Sequence, residues 1–226
     1  PNGRFEFRIF SGQPQGALWP RIGYQIYMGG KPMIGTSWMG LDILNQEPYL
    51  AENPGFMSAD RSSNSKDGYN ALVAHYMQNG SLGRRLDVEI RAYNDGVAFR
   101  YIVPKSTALE DFLLRDEETE FNFAEPSALA RLPAKPDYDL PFAVEEPGIG
   151  WVVIAQQPPP SGSVSYPRMY LDRTAAGMIT NLARSIAEPN LAYDARTPVV
   201  WLWRVVLGGP ERSQLLASET LRSLGQ

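Results

Sequence analysis

Apolar and polar residues alternate along most of the chain. In FEFRIF, Phe5, Phe7 and Ile9 fall on one face and Glu6, Arg8 and Phe10 on the other, the period of a half-buried strand. GYQIYMGGKPMIG reads as two short strands joined at Gly29-Gly30, a hairpin. YNALVAHYMQNG runs into RRLDVEIRAY, where Leu86, Val88, Ile90 and Ala92 alternate with Asp87, Glu89, Arg91 and Tyr93. A turn at Asn94-Asp95-Gly96 follows, with Asn and Gly expected at positive φ, and then VAFRYIVP, closed by Pro104. DFLLRDEETEFNF predicts a strand pair or one long strand, while GWVVIAQ and PVVWLWRVVLGG are apolar enough for central strands.

Between these lie stretches without the period. Residues 45–68 are polar and turn-rich, a long loop or a set of weak edges. Five prolines between Ala124 and Gly148 predict an irregular surface segment, and QPPPSGSVSYP predicts a loop. Only ERSQLLASETLRSLG has helix formers throughout, with Leu215, Leu216, Leu221 and Leu224 as its apolar face. A single short C-terminal helix after a dozen strands predicts an all-β fold. Its strand count favours a large sandwich, and no composition shift or repeat divides residues 1–226.

Composition narrows the chemistry. A net charge of −4 without a basic cluster argues against a nucleic-acid partner. No run of some 18 apolar residues spans a membrane. With no cysteine, disulfides and thiolate metal sites are excluded. The single histidine, His75 in LVAHYMQ, reads as a packed or hydrogen-bonded strand residue rather than a catalytic base. It also counts against a sugar epimerase, which needs His and Glu together in one concave face. Asp116, Glu117, Glu118 and Glu120 in RDEETE are candidate oxygen ligands for a hard cation, with Glu118 and Glu120 on one strand face. Against that stands the plainer reading of a solvated acidic surface. Trp19, Trp38, Trp151, Trp201 and Trp203 could stack on sugars, but large aromatics in β domains are mostly core. Trp201 and Trp203, two apart, share a face in that reading.

Several segments, in order, resemble one family. RAYNDGVAFRY is similar to the signature hairpin of the N-terminal domain of glycoside hydrolase family 97. GTSWMGLDI resembles that family's segment with a Ser and a Leu-Gly-Leu, and GYNALVAHY its Tyr-Asn-Glu stretch, with Ala71 in place of the Glu. EETEFNF, SYPRMYL and TPVVWLWRVVLGG resemble further family strands, so the likeness runs from about residue 5 to residue 225.

The resemblance implies a β-super-sandwich of the galactose mutarotase-like kind, followed after residue 226 by a catalytic (β/α)8 barrel. It implies a secreted or periplasmic bacterial enzyme, its signal peptide outside this chain, acting on α-glucosides or α-galactosides with calcium at the active site. The sandwich would pack on the barrel and help bind the oligosaccharide, without hydrolysing a glycoside alone. In the family a Glu of this domain reaches the calcium from a Tyr/Glu-rich loop. Here that stretch is KPDYDLPFAVEEP, which puts Asp139 in the ligand position, with Glu145 and Glu146 as fallbacks. The alternative is a free-standing carbohydrate-binding module, which predicts a row of exposed aromatics including Trp19 or Trp38.

Overall fold

The computed structural model describes residues 4–106, 108–158, 166–184 and 186–224. The chain opens with a three-stranded meander: β1 (Phe5–Gly12), β2 (Arg21–Met28) and β3 (Lys31–Trp38). Gly29 (φ 58°) and Gly30 (φ 78°) form the two-residue turn between β2 and β3, a backbone that side chains with a Cβ rarely adopt. The short β4 (Leu41–Ile43) follows, then β5 (Pro54–Asn64), β6 (Tyr69–Gln78), β7 (Arg85–Ala92), β8 (Gly96–Val103), β9 (Asp111–Glu117) and β10 (Glu120–Asn122). After a 3₁₀ turn at Pro126–Arg131 come β11 (Phe142–Glu146), β12 (Gly150–Gln156), β13 (Met169–Arg173), β14 (Gly177–Leu182), β15 (Tyr193–Arg196), β16 (Val199–Val200) and β17 (Arg204–Gly209). Two single-turn helices close the described chain, α1 (Arg212–Leu216) and α2 (Glu219–Ser223).

All pairings between named strands are antiparallel, and the architecture is an all-β super-sandwich. The largest sheet runs in the order β11-β12-β17-β8-β7-β6-β5, with β16 also on β8. Three smaller sheets accompany it: β1-β2-β3, β10-β14-β13 and β15-β9-β4. Strand alternation divides the interior in two. Val97, Phe99, Tyr101, Val152, Ile154 and Val206 turn into the main core, together with Tyr24, Ile26 and Phe121. Their neighbours Ala98, Val153, Ala155, Val205 and Leu207 turn to the opposite face, where Leu215 and Leu224 of the C-terminal segment cover them. Burial on both faces is why these central strands read as unbroken apolar runs.

Three expectations change in detail. Residues 54–64 are one eleven-residue strand at the edge of the large sheet, exposed along most of its length, so burial imposes no alternation there. The 124–148 stretch is not all irregular surface, because it contains β11 and because Tyr138 exchanges backbone hydrogen bonds with Leu171 of β13. The expected C-terminal helix is divided where Ser218 caps α2 by accepting from the Thr220 N–H at 3.0 Å. Residues 159–165, most of the expected QPPPSGSVSYP loop, lie outside the described residues.

Candidate functional site

The β7–β8 hairpin carries more than its turn requires. Glu89 pairs with Arg91 at 2.9 Å and with Arg100, its cross-strand partner, at 2.6 Å. Both guanidiniums lie 4.4 Å from the Trp203 ring centre, and Arg91 also lies 4.6 Å from that of Tyr69. At the tip, the Asp95 carboxylate accepts hydrogen bonds from the Ser218 and Thr220 hydroxyls, each at 2.6 Å. The hairpin therefore clamps Trp203 with its arms and α2 with its tip. Neither Asn94 nor Gly96 takes the expected positive φ. Gly96 is required for closeness instead, since a Cβ there would sit 2.3 Å from the Val206 carbonyl oxygen.

The three candidate calcium ligands do not gather within the chain. Asp139 is exposed and pairs with Arg168 at 2.5 Å. Glu145 lies on β11, 3.5 Å from Arg131. Glu146, only 1% exposed, accepts the Glu125 N–H at 3.0 Å with Oε1, while its Oε2 is buried without a partner. Burial raises its carboxyl to about 7, against the pull of the Glu125 and Ala124 N–H groups. Among the described residues no three His, Asp or Glu side chains form a cation-sized cluster. Calcium takes 6–8 oxygens, so these residues do not make a calcium site by themselves.

The acidic run is spent on structure. β9 ends at Glu117 and β10 starts at Glu120 in a different sheet, so Glu118 and Glu120 are not neighbours along one strand face. Asp116 binds Arg184 and accepts the Leu182 and Glu117 N–H groups at 3.0 and 2.8 Å. Burial nevertheless lifts its carboxyl to about 6. Glu117 forms a fully buried ion pair with Arg204, whose Nε lies 2.9 Å from Oε1, and Thr119 donates to the same oxygen at 2.9 Å. Glu118 pairs with Arg21 and Glu120 accepts from Asn122 at 2.7 Å. The sequence did hold a sign of the buried pair, because a lone Arg inside VVWLWRVVL demands a carboxylate partner.

His75 sits between two aspartates, with Nδ1 2.9 Å from Asp87 and Nε2 3.3 Å from Asp60. Burial lowers its pKa, but the two carboxylates outweigh it and the net direction is up. The ring thus lies beside its cross-strand neighbour Asp87, a strand residue held in the sheet as its sequence context suggests. Trp201 and Trp203 are both buried but lie in separate cores, because residues 201–203 precede β17 and lack strand parity. Trp19, Trp38 and Trp151 are half-buried, and the Trp38 ring packs edge-on to Phe10 above Gly23. The tryptophans thus present no exposed row.

Antiparallel sheets packed around a two-sided central sheet define an all-β sandwich domain. The sequence pattern described as "Glycosyl-hydrolase 97 N-terminal" matches residues 1–140, and the chain belongs to that family. Two structures of a glycoside hydrolase family 97 enzyme from Pseudoalteromonas sp. strain K8, one with acarbose and one with panose, superpose on all of this chain. Their TM-scores are 0.81 and 0.82, each at 18% identity. A beta-arabinopyranosidase matches 93% of this chain with TM-score 0.66 and 20% identity. This chain spans 37% of the Pseudoalteromonas enzyme and 39% of the arabinopyranosidase. No curated protein matches it. Among the described residues no helix is long and apolar enough to cross a membrane.

Proposed function

We propose that this chain is the non-catalytic N-terminal domain of an exported glycoside hydrolase acting on α-glucosides or α-galactosides. In this reading it packs on a (β/α)8 barrel and lends loop residues to a carbohydrate and calcium site. The observation that carries it is coverage: the whole chain matches little more than a third of a family 97 enzyme, at TM-score 0.81 to 0.82. The acarbose and panose complexes of that enzyme support the α-glucoside branch. Asp139 is the residue best able to lend a carboxylate to calcium. It is exposed, and its pairing with Arg168 is a surface contact of the weak kind that exchanges readily. Glu146 serves that role poorly, since calcium requires its carboxyl ionised and aimed outward.

The test is turnover of aryl α-glucosides and α-galactosides by residues 1–226 alone and by the longer parent chain. Hydrolysis is expected from the longer chain only. Turnover by residues 1–226, or a parent reading frame with no further domain, overturns the proposal.

A further inference from the structure

We infer that Asn79 is a site of spontaneous covalent modification, closing on Gly80 to a succinimide that opens to aspartate and isoaspartate. The pair stands in the 79–82 turn between β6 and β7, and both residues are exposed.

The chemistry needs a side-chain amide, a main-chain nitrogen free to reach it, and nothing bulky between them. The Gly80 nitrogen attacks the Asn79 Cγ, so an N–Cγ bond forms while the Cγ–Nδ2 bond breaks. Nδ2 leaves as ammonia and takes the Gly80 amide proton with it. Water then opens the ring. Breaking the new bond gives aspartate. Breaking the bond from the Gly80 nitrogen to the Asn79 main-chain carbonyl gives isoaspartate, whose backbone runs through Cγ. Nothing is oxidised or reduced.

Among the described asparagines only Asn79 precedes a glycine. The others precede side chains that crowd the attacking nitrogen, or Pro54, which has no N–H. Asn2-Gly3 lies outside the described residues. Gly80 holds φ 88°, and a Cβ built on it would meet nothing within 4 Å. Among the described residues its N–H meets no acceptor, so the nitrogen gives up no hydrogen bond in order to react. The Asn79 amide donates only a long bond, 3.5 Å from Nδ2 to Asn53 Oδ1. The two Asp-Gly bonds, which close the same ring with loss of water, are placed otherwise. The Asp95 carboxylate is tied to Ser218 and Thr220, and Gly96 is buried in β8. Asp67 accepts from Asn64 Nδ2 at 2.6 Å, and an ionised carboxylate is a poorer electrophile than an amide.

The rearrangement acts on a joint. Asn79 donates its N–H to the Asn53 carbonyl at 2.9 Å, and Asn53 Nδ2 donates to the Asn79 carbonyl at 3.3 Å. These bonds tie the entry of β5, the exposed edge of the large sheet, to the end of β6. In the product a carboxylate oxygen replaces Nδ2 opposite Asn53 Oδ1, so two acceptors face each other. Isoaspartate also adds one carbon to the main chain inside the joint. Both changes loosen the start of β5, where Phe56 and Met57 are already 60% and 50% exposed. The inference uses this chain's own residues and does not depend on the hydrolase proposal.

The test is incubation of residues 1–226 at mildly acidic and mildly alkaline pH, followed by peptide mapping in the mass spectrometer and isoaspartate assay of each peptide. Conversion of amide to acid is expected at Asn79 ahead of every other described asparagine, with isoaspartate the larger product. It should quicken as pH rises, because the attacking nitrogen must lose its proton. Asn79→Gln keeps an amide but would have to close a six-membered ring, and should cut acid formation at that position at least tenfold. Amide exchange at residues 53–57 should rise in the incubated protein and stay as in fresh protein for the incubated Asn79→Gln variant. An Asn79 amide that outlasts those of other described asparagines, conversion without isoaspartate, or equal conversion in Asn79→Gln overturns the site. Full conversion with unchanged exchange at residues 53–57 overturns the joint.

Discussion

Replacing Glu146 with Gln should stabilise the protein at alkaline pH and leave it nearly unchanged in acid. The carboxyl titrates near 7 in the fold, chiefly because burial disfavours its charge, against 4.5 as its ordinary value. Below about pH 4.5 it is protonated whether the chain is folded or not, and contributes no pH dependence. As pH rises from there to 7, the unfolded chain releases the proton and the folded one keeps it. Stability then falls by about 1.4 kcal/mol per pH unit, and by about 3 kcal/mol once both states are ionised. Gln has no proton to release, so its advantage over Glu should open across that window. With a urea slope of about 3 kcal/mol/M for a chain of this size, the gap in midpoint should be near zero at pH 4.5 and about 1 M at pH 8. Asp116, lifted to about 6 by its own burial, titrates in both proteins and cancels from the difference. Urea midpoints at four pH values between 4.5 and 8 decide it. A gap that stays constant with pH would refute the assignment of a proton to buried Glu146.

Other consequences are equally measurable. Glu117→Ala strands the Arg204 guanidinium in the core and should cost about 3–5 kcal/mol. The double replacement Glu117→Met with Arg204→Leu should recover most of that in urea unfolding, and a double variant as weak as the single one would contradict it. Asp95→Ala removes the acceptor for two hydroxyls and should cost about 1–3 kcal/mol. Amide exchange should rise most at residues 212–224, and uniform acceleration along the chain would count against the clamp. Gly96→Ala should destabilise more than Gly148→Ala. The first drives a Cβ into the Val206 carbonyl, while the second meets open space and only the strain of φ 78°. The reverse order in thermal melts would rule this out.

The sequence showed best what burial on one face imposes. The β1 alternation, the Gly29-Gly30 turn and the β7–β8 hairpin were all legible, because each repeats every second residue or needs a particular turn. β5 was not, since an edge strand exposed along most of its length has no apolar period to display. The Glu118-Thr119 step, which carries the chain from the β9 sheet to the β10 sheet, left the sequence reading open between a strand pair and one long strand. The Asp42–Arg115 ion pair escaped notice because its members lie 73 positions apart and Arg115 sits at a bulge of β9. Asp139, Glu145 and Glu146 are close in sequence, yet each takes its own partner. Proximity along the chain said nothing of convergence.

The place of β17 governs how the chain comes to fold. It is the last strand, residues 204–209, but lies inside the large sheet between β12 and β8. Until those residues leave the ribosome, β12 and the Gly96–Phe99 stretch of β8 lack their shared strand partner. Adding that partner joins segments more than a hundred residues apart, a closure slow to find by diffusion. Fragments that stop short of Gly209 should therefore self-associate through the open edges. Recombinant boundaries drawn beyond Leu224, where the covering helices are complete, should give soluble protein.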